Sequence, residues 1–237
     1  MASSSDVQRI FPRDVRNEVK EENIKDAFER VNALEKAVSR KITTWNAPTL
    51  LPIVSDPPYW DDIRIVPGSF IRPGVFDPAI VAWAPGGGSS TYIYEFALDD
   101  FARFSAQLPH SYKEGGDIYV HIHWTPSARG STESGNNVGW KLEYSWANPH
   151  DAFPQLETLL LTDACSGVND EHEQTTDVVI SGTGKKISSI IIGNLVRRDT
   201  GTDDTWAGSG TGNLPELLEL DFHFPLDTIG SKTALTK

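Results

Sequence analysis

The sequence predicts a mainly β chain: a jelly-roll-like antiparallel β-sandwich preceded by an N-terminal amphipathic helix and a proline-rich arm. Three runs carry that prediction. From Asp117 to Pro126, Ile118, Val120, Ile122 and Trp124 alternate with Tyr119, His121 and His123. Side chains on a strand alternate between faces with a period of two, so this run has one apolar face and one polar face. Trp140, Leu142, Tyr144 and Trp146 alternate in the same way with Gly139, Lys141, Glu143 and Ser145. Near the end, Leu218, Leu220, Phe222 and Phe224 oppose Glu219, Asp221 and His223. Together the three describe an antiparallel sheet with one greasy face and one polar face.

Composition bounds the rest. A chain of 237 residues suits one large β-domain, and 7 Trp, 10 Phe and 6 Tyr supply its core. Cys165 is the single cysteine, so no disulfide forms within the chain, which fits synthesis in the cytoplasm. A formal net charge of -12 disfavours nucleic-acid binding, which depends on a basic face. No apolar run approaches the roughly 20 residues of a membrane helix, so no membrane insertion is expected. The opening Met-Ala-Ser-Ser-Ser-Asp lacks the basic and apolar regions of a secretory signal.

In chain order, Ile10-Phe11-Pro12 reads as a short extended anchor. Residues 17–42 are rich in Glu, Lys, Ala and Arg, and Ile24, Phe28, Val31, Leu34, Val38 and Ile42 recur at intervals of three and four. That spacing predicts an amphipathic helix whose stripe packs on its own β-domain or forms a self-associating stem, with residues 1–46 as the anchor and stem. Its drift from a strict heptad favours a short trimeric bundle, or a helix docked on something larger, over a long two-stranded zipper. Pro48, Pro52, Pro57 and Pro58 oppose helix and central strand alike, so residues 47–58 read as an extended linker.

Residues 59–237 form the predicted β-body. Strands are expected at Tyr59–Ile65, Ile80–Trp83, Thr91–Phe96, Leu156–Leu161, Val178–Ile180, Ser188–Arg198 and Leu217–Phe224, beside the central and Trp140 runs. Ile190-Ile191-Ile192 has the composition of a strand covered on both faces. Gly86-Gly87-Gly88 and Gly208 to Gly212 read as loop tips, because they lack the Lys and Ser/Thr of a phosphate loop.

Candidate chemistry centres on His121 and His123, two imidazoles two residues apart on one strand face that can both reach one metal ion. His223 could supply a third ligand and Asp221 a fourth if their strands are neighbours. Gly115, five residues and His-x-His repeat the opening of the cupin metal motif, but Ser127 and Ala128 stand where that motif wants Glu, and no second half follows. The reading adopted is therefore no metal and no cofactor. Tyr119, His121, His123 and His223 are expected on a polar sheet face covered by another subunit or by the N-terminal arm. No catalytic residues are assigned: Cys165 has no family signature around it and no Gly-x-Ser-x-Gly elbow occurs. Asp61-Asp62, Asp99-Asp100 and Asp203-Asp204 read as acids on opposite strand faces or solvated in loops. Trp206, expected exposed in a polar loop, is a candidate contact for a sugar or a partner protein.

The segments Pro109-His110-Ser111-Tyr112-Lys113-Glu114-Gly115, His121-Ile122-His123-Trp124, Trp140-Lys141-Leu142-Glu143-Tyr144-Ser145-Trp146-Ala147-Asn148, Leu220-Asp221-Phe222-His223-Phe224 and Asp227-Thr228-Ile229-Gly230-Ser231 resemble a little-characterised group of tailed-bacteriophage virion structural proteins. The resemblance spans Tyr59 to Ser231. It implies a non-enzymatic fibre, spike or capsid-decoration protein: a homotrimer with a β-rich body, located in the virion. Its partners would be copies of itself and other virion proteins of the capsid, portal, adaptor or tail. A carbohydrate-binding jelly-roll module that meets a host-surface glycan, and a cupin-like metalloenzyme, are the alternatives on the same scaffold.

Overall fold

The structure, a computed structural model, describes residues 29–33, 44–45, 52–53, 59–198, 203–231 and 233. The chain divides into two units, Met1–Asp56 and Pro57–Lys237. In the first, residues 29–33 are helical, and strand β1 (Thr44–Trp45) pairs antiparallel with β2 (Pro52–Ile53). Proline brings no amide hydrogen to a ladder and is confined to edges, which suits a two-residue pairing inside the predicted linker. Val31 of the expected helical stripe is exposed. Ile24, Phe28, Leu34, Val38 and Ile42, with the anchor at Ile10-Phe11-Pro12, lie outside the described residues.

The second unit holds β3 (Tyr59–Ile65), β4 (Ala79–Trp83), β5 (Thr91–Glu95), β6 (Phe101–Gln107), β7 (Ile118–Thr125), β8 (Asn137–Ala147), β9 (Glu157–Ala164), β10 (Glu173–Gln174), β11 (Val178–Ile180), β12 (Ile190–Arg197) and β13 (Glu216–Leu226). These strands make two antiparallel sheets. In the seven-stranded sheet β10 and β11 pair with one edge of β7, and β13 pairs with the other. The far edge of β13 takes β5 at its start and β3 along the rest, with β4 beyond β5. The four-stranded sheet runs β6, β12, β8, β9. The chain passes repeatedly from one sheet to the other, which is the jelly-roll arrangement of a β-sandwich.

Between the sheets, Ile118, Val120, Ile122 and Trp124 of β7 are fully buried with Trp140 and Leu142 of β8, Leu195 of β12, and Leu220 and Phe222 of β13. Aromatic pairs fill the layer: Phe96 meets Trp140 edge-on at 5.3 Å and Phe104 meets Phe222 at 5.7 Å. Gly193 of β12 lies opposite Phe104 of β6, and a Cβ there would stand 2.8 Å from the Phe104 ring. The missing side chain lets that ring lie across the strand.

Three expectations need correction. The Trp140 run lies not in the sheet of β7 and β13 but in the opposite one, because two facing sheets present the same apolar period to a shared interior. On β13, Leu217 and Leu220 are the buried leucines and Leu218 is not, since a β-bulge between Leu217 and Glu219 inserts a residue into the ladder. Strand β12 is not covered on both faces: Ile191 is buried, whereas Ile190 and Ile192 point outward and are 37% and 38% exposed. Strand β6 was not anticipated, because its inward positions are Ala102, Phe104 and Ala106, and two alanines leave a faint period.

Candidate functional site

The polar side chains of β7 and β13 meet on the outer face of the seven-stranded sheet. Register sets Asp221 across from His121, Glu219 across from His123 and His223 across from Tyr119. The bulge keeps Glu216, Glu219 and Asp221 on that one face. Four ring nitrogens and carboxylate oxygens then converge. His121 Nε2 lies 2.8 Å from His123 Nε2 and 3.4 Å from His223 Nε2. Asp221 Oδ2 stands 3.8 Å from both His121 Nε2 and His123 Nε2, and 4.0 Å from His223 Nε2. Asp221 Oδ1 is buried and accepts no hydrogen bond. Glu219 Oε1 is 3.9 Å from His123 Nε2, but its carboxylate is already held by Arg64 Nε at 3.0 Å and Nη2 at 2.7 Å.

Each imidazole is oriented through its other nitrogen. His121 Nδ1–H donates to Asp177 Oδ1 at 2.8 Å, and His223 Nδ1–H donates to Asp62 Oδ1. Because a carboxylate can only accept, these bonds fix both rings with a lone pair on Nε2. His123 Nδ1 shares a proton with His172 Nε2 at 2.6 Å. Burial lowers the His121 pKa against the pull of Asp177, and the neighbouring His123 and His223 lower it further. Burial alone would push the Asp221 carboxyl up, but the His123, His223 and His121 rings outweigh it and hold it below its ordinary value.

The sequence expects Tyr119, His121, His123 and His223 on a polar sheet face. Within the β-body the imidazoles are flanked by His172 beside β10, Asp177 beside β11 and Asp62 on β3; His121 is 3% exposed. A cleft of about 290 Å³ lined by Trp60, Tyr119, Asp177 and His223 opens beside the rings. Trp60 packs edge-on against Tyr119 at 5.2 Å. His121, His123, His223 and Asp221 were all named from period alone. His172 and Asp177 were missed, since no pattern links a loop acid or a lone histidine to a strand fifty residues earlier.

Other sequence candidates fall elsewhere. Trp206 is not exposed: its ring packs against Trp124 at 5.9 Å, and its Nε1–H donates to the Asn213 carbonyl at 2.9 Å, so it closes the loop inward. Asp204 is not solvated either, because Arg197 grips it with two bonds of 2.8 and 2.9 Å while both side chains are buried. Cys165 is buried, and burial pushes its thiol up, away from nucleophilic reactivity. At the far end of β13, Glu216 pairs in register with Glu95 of β5 and both are buried. Each keeps one carboxylate oxygen without a hydrogen bond.

No family model and no curated protein matches this chain. Among solved structures it is similar to a cycloisomaltooligosaccharide glucanotransferase of Paenibacillus sp., at 15% identity and a TM-score of 0.37, over 67% of this chain and 18% of that one. It is also similar to the xylan-binding module CBM15, at 10% identity and a TM-score of 0.37, over 70% of this chain and 98% of that one. A third is the CBM22-2 xylan-binding domain of Xyn10C from Paenibacillus barcinonensis, at 6% identity and a TM-score of 0.36, over 71% and 99% of the two chains. This chain therefore spans 18% of the glucanotransferase's length. Likeness of this degree carries nothing about ligand or activity.

Proposed function

We propose that this chain is a non-enzymatic structural component of a tailed-bacteriophage virion, a fibre, spike or decoration protein whose copies associate as a homotrimer. In this reading the N-terminal segment anchors it to other virion proteins, and it is made in the host cytoplasm. One observation carries the self-association. Among the described residues strand β4 ends the path of the seven-stranded sheet, and the side it shares with core-facing Leu217 and Tyr94 stays apolar beyond the core: Ile80 lies opposite Tyr94 of β5 and Ala82 opposite Tyr92. Ile80 is 51% exposed and Tyr92 73%. An open edge beside exposed apolar side chains favours a contact with another copy of the chain. A glycan-binding reading loses Trp206, the loop aromatic it was to rest on.

The test is the mass in solution of the full chain, of a chain lacking residues 1–46, and of Ile80→Glu/Tyr92→Glu. The reading expects a trimer that falls apart on truncation and weakens in the double variant. A monomer in every case, or a measurable turnover, overturns it.

A further inference from the structure

We propose that His121, His123 and His223, each through Nε2, together with Asp221 through Oδ2, bind one divalent transition-metal ion of the zinc class. This inference goes beyond the virion reading and does not depend on it. A tetrahedral zinc with bonds of about 2.0–2.2 Å holds its ligand atoms about 3.3–3.5 Å apart. The separations among these atoms include 2.8, 3.4, 3.8, 3.8 and 4.0 Å, so His121, His223 and Asp221 already gather within 4.8 Å of one another, and His123, 2.8 Å from His121 Nε2, closes on the same ion by a small movement of its ring. His121 and His223 aim lone pairs at that ion because Asp177 and Asp62 hold their Nδ1 protons. Before the ion binds, His123 Nε2–H donates to the His121 Nε2 lone pair; when it binds, that proton leaves, His123 Nδ1 takes the one held by His172, and the exposed His172 ring regains a proton from solvent.

The carboxylate supports this assignment independently. Asp221 is buried, its Oδ1 accepts no hydrogen bond, and none of its ring neighbours approaches Oδ2 within hydrogen-bond range. A buried anion facing neutral lone pairs is stabilised by a cation among them. Glu219 is not a ligand, since Arg64 neutralises it. Three imidazole donors select zinc and its first-row neighbours over calcium or magnesium, which take oxygen. Four protein ligands close the coordination sphere, as in structural sites. The ion then clamps β7 to β13, and through Asp62, His172 and Asp177 it fixes β3 and the segment ahead of β11. The cleft beside His223 gives the ion a way in.

The test uses the full chain without a polyhistidine tag, stripped with a chelator and titrated with Zn²⁺ by calorimetry and with Co²⁺ by visible absorption. One ion per chain is expected, with the intense bands of four-coordinate Co²⁺ and a raised Tm. His123→Gln and Asp221→Asn abolish this, while Glu219→Gln leaves it unchanged. Asp62→Asn and Asp177→Asn weaken affinity about ten- to hundredfold, as lost outer-sphere partners do, and keep the prediction testable if a ligand variant fails to fold. Near-UV circular dichroism checks each fold. No binding by folded wild-type chain, binding that survives both His123→Gln and Asp221→Asn, or a six-coordinate Co²⁺ spectrum each overturns the assignment.

Discussion

Glu216 and Asp221 lie on the same strand and the same outer face, both buried and each with one oxygen lacking a hydrogen bond, yet their proton affinities move in opposite directions. Burial, with the Glu95 and Asp170 carboxylates behind it, pushes Glu216 up to about 7 against a hydrogen bond from Ser127. Asp221, ringed by three imidazoles, is held below its ordinary value although burial opposes this. Burial penalises the charge in both places, so the neighbours decide the sign. Asp204 adds a fully paired limit through Arg197, and Asp99 a solvated one, half exposed beside Arg198. On the outer face of the seven-stranded sheet, Glu216 and Asp221 of β13 are thus both buried, and each meets the cost of its charge by a different means.

Removing the partner of the paired acid should have the largest effect. Arg197→Ala leaves Asp204 buried without its cation, and the Phe96 carbonyl loses a donor. The expected loss is about 3–5 kcal/mol in urea unfolding at pH 7. A loss comparable to that of a surface pair would mean that Asp204 reaches water and would remove the paired limit.

The unpaired acid predicts the opposite sign. A carboxyl whose folded pKa is raised binds its proton more tightly in the native chain, so its contribution to stability is greatest below the ordinary value of 4.5 and is lost as pH rises to about 7. Glu216→Gln removes that titration. Its stability relative to wild type should rise across this window by about 3 kcal/mol, the shift converted at 1.36 kcal/mol per unit. Denaturant midpoints of both proteins at pH 4.5, 6 and 8 give the slope. A flat difference would show that Glu216 carries no shifted proton.

The solvated acid sets the baseline. Asp99→Asn should change stability by less than about 1 kcal/mol, since exposed pairs contribute little. Asn also tolerates the positive backbone angle of 68° found there. A larger change would place Asp99 within the buried network through its backbone contact with Arg197.

Much of this was legible from period and composition. The alternations of β7, β8 and β13 identified both core-facing sets, apart from the shift at the Leu217 bulge. The same alternation placed His121, His123, Asp221 and His223 on polar faces, because an extended backbone turns each side chain by half a revolution whatever surrounds it. It could not separate β8 from β7 and β13, since strands in opposite sheets share one interior. Strand β6 escaped because alanine marks a buried face weakly.

Sequence by itself determined the alternating apolar faces, the predicted jelly-roll class and the histidines on one side of their strands. These depend on local backbone geometry and on hydrophobic burial. Only the tertiary structure decided that Asp62, His172 and Asp177 reach the outer nitrogens of those histidines, that Trp206 turns inward and that Arg197 meets Asp204. Such contacts join segments far apart in the chain, and their energies depend on desolvation and charge at close range, which no local pattern records.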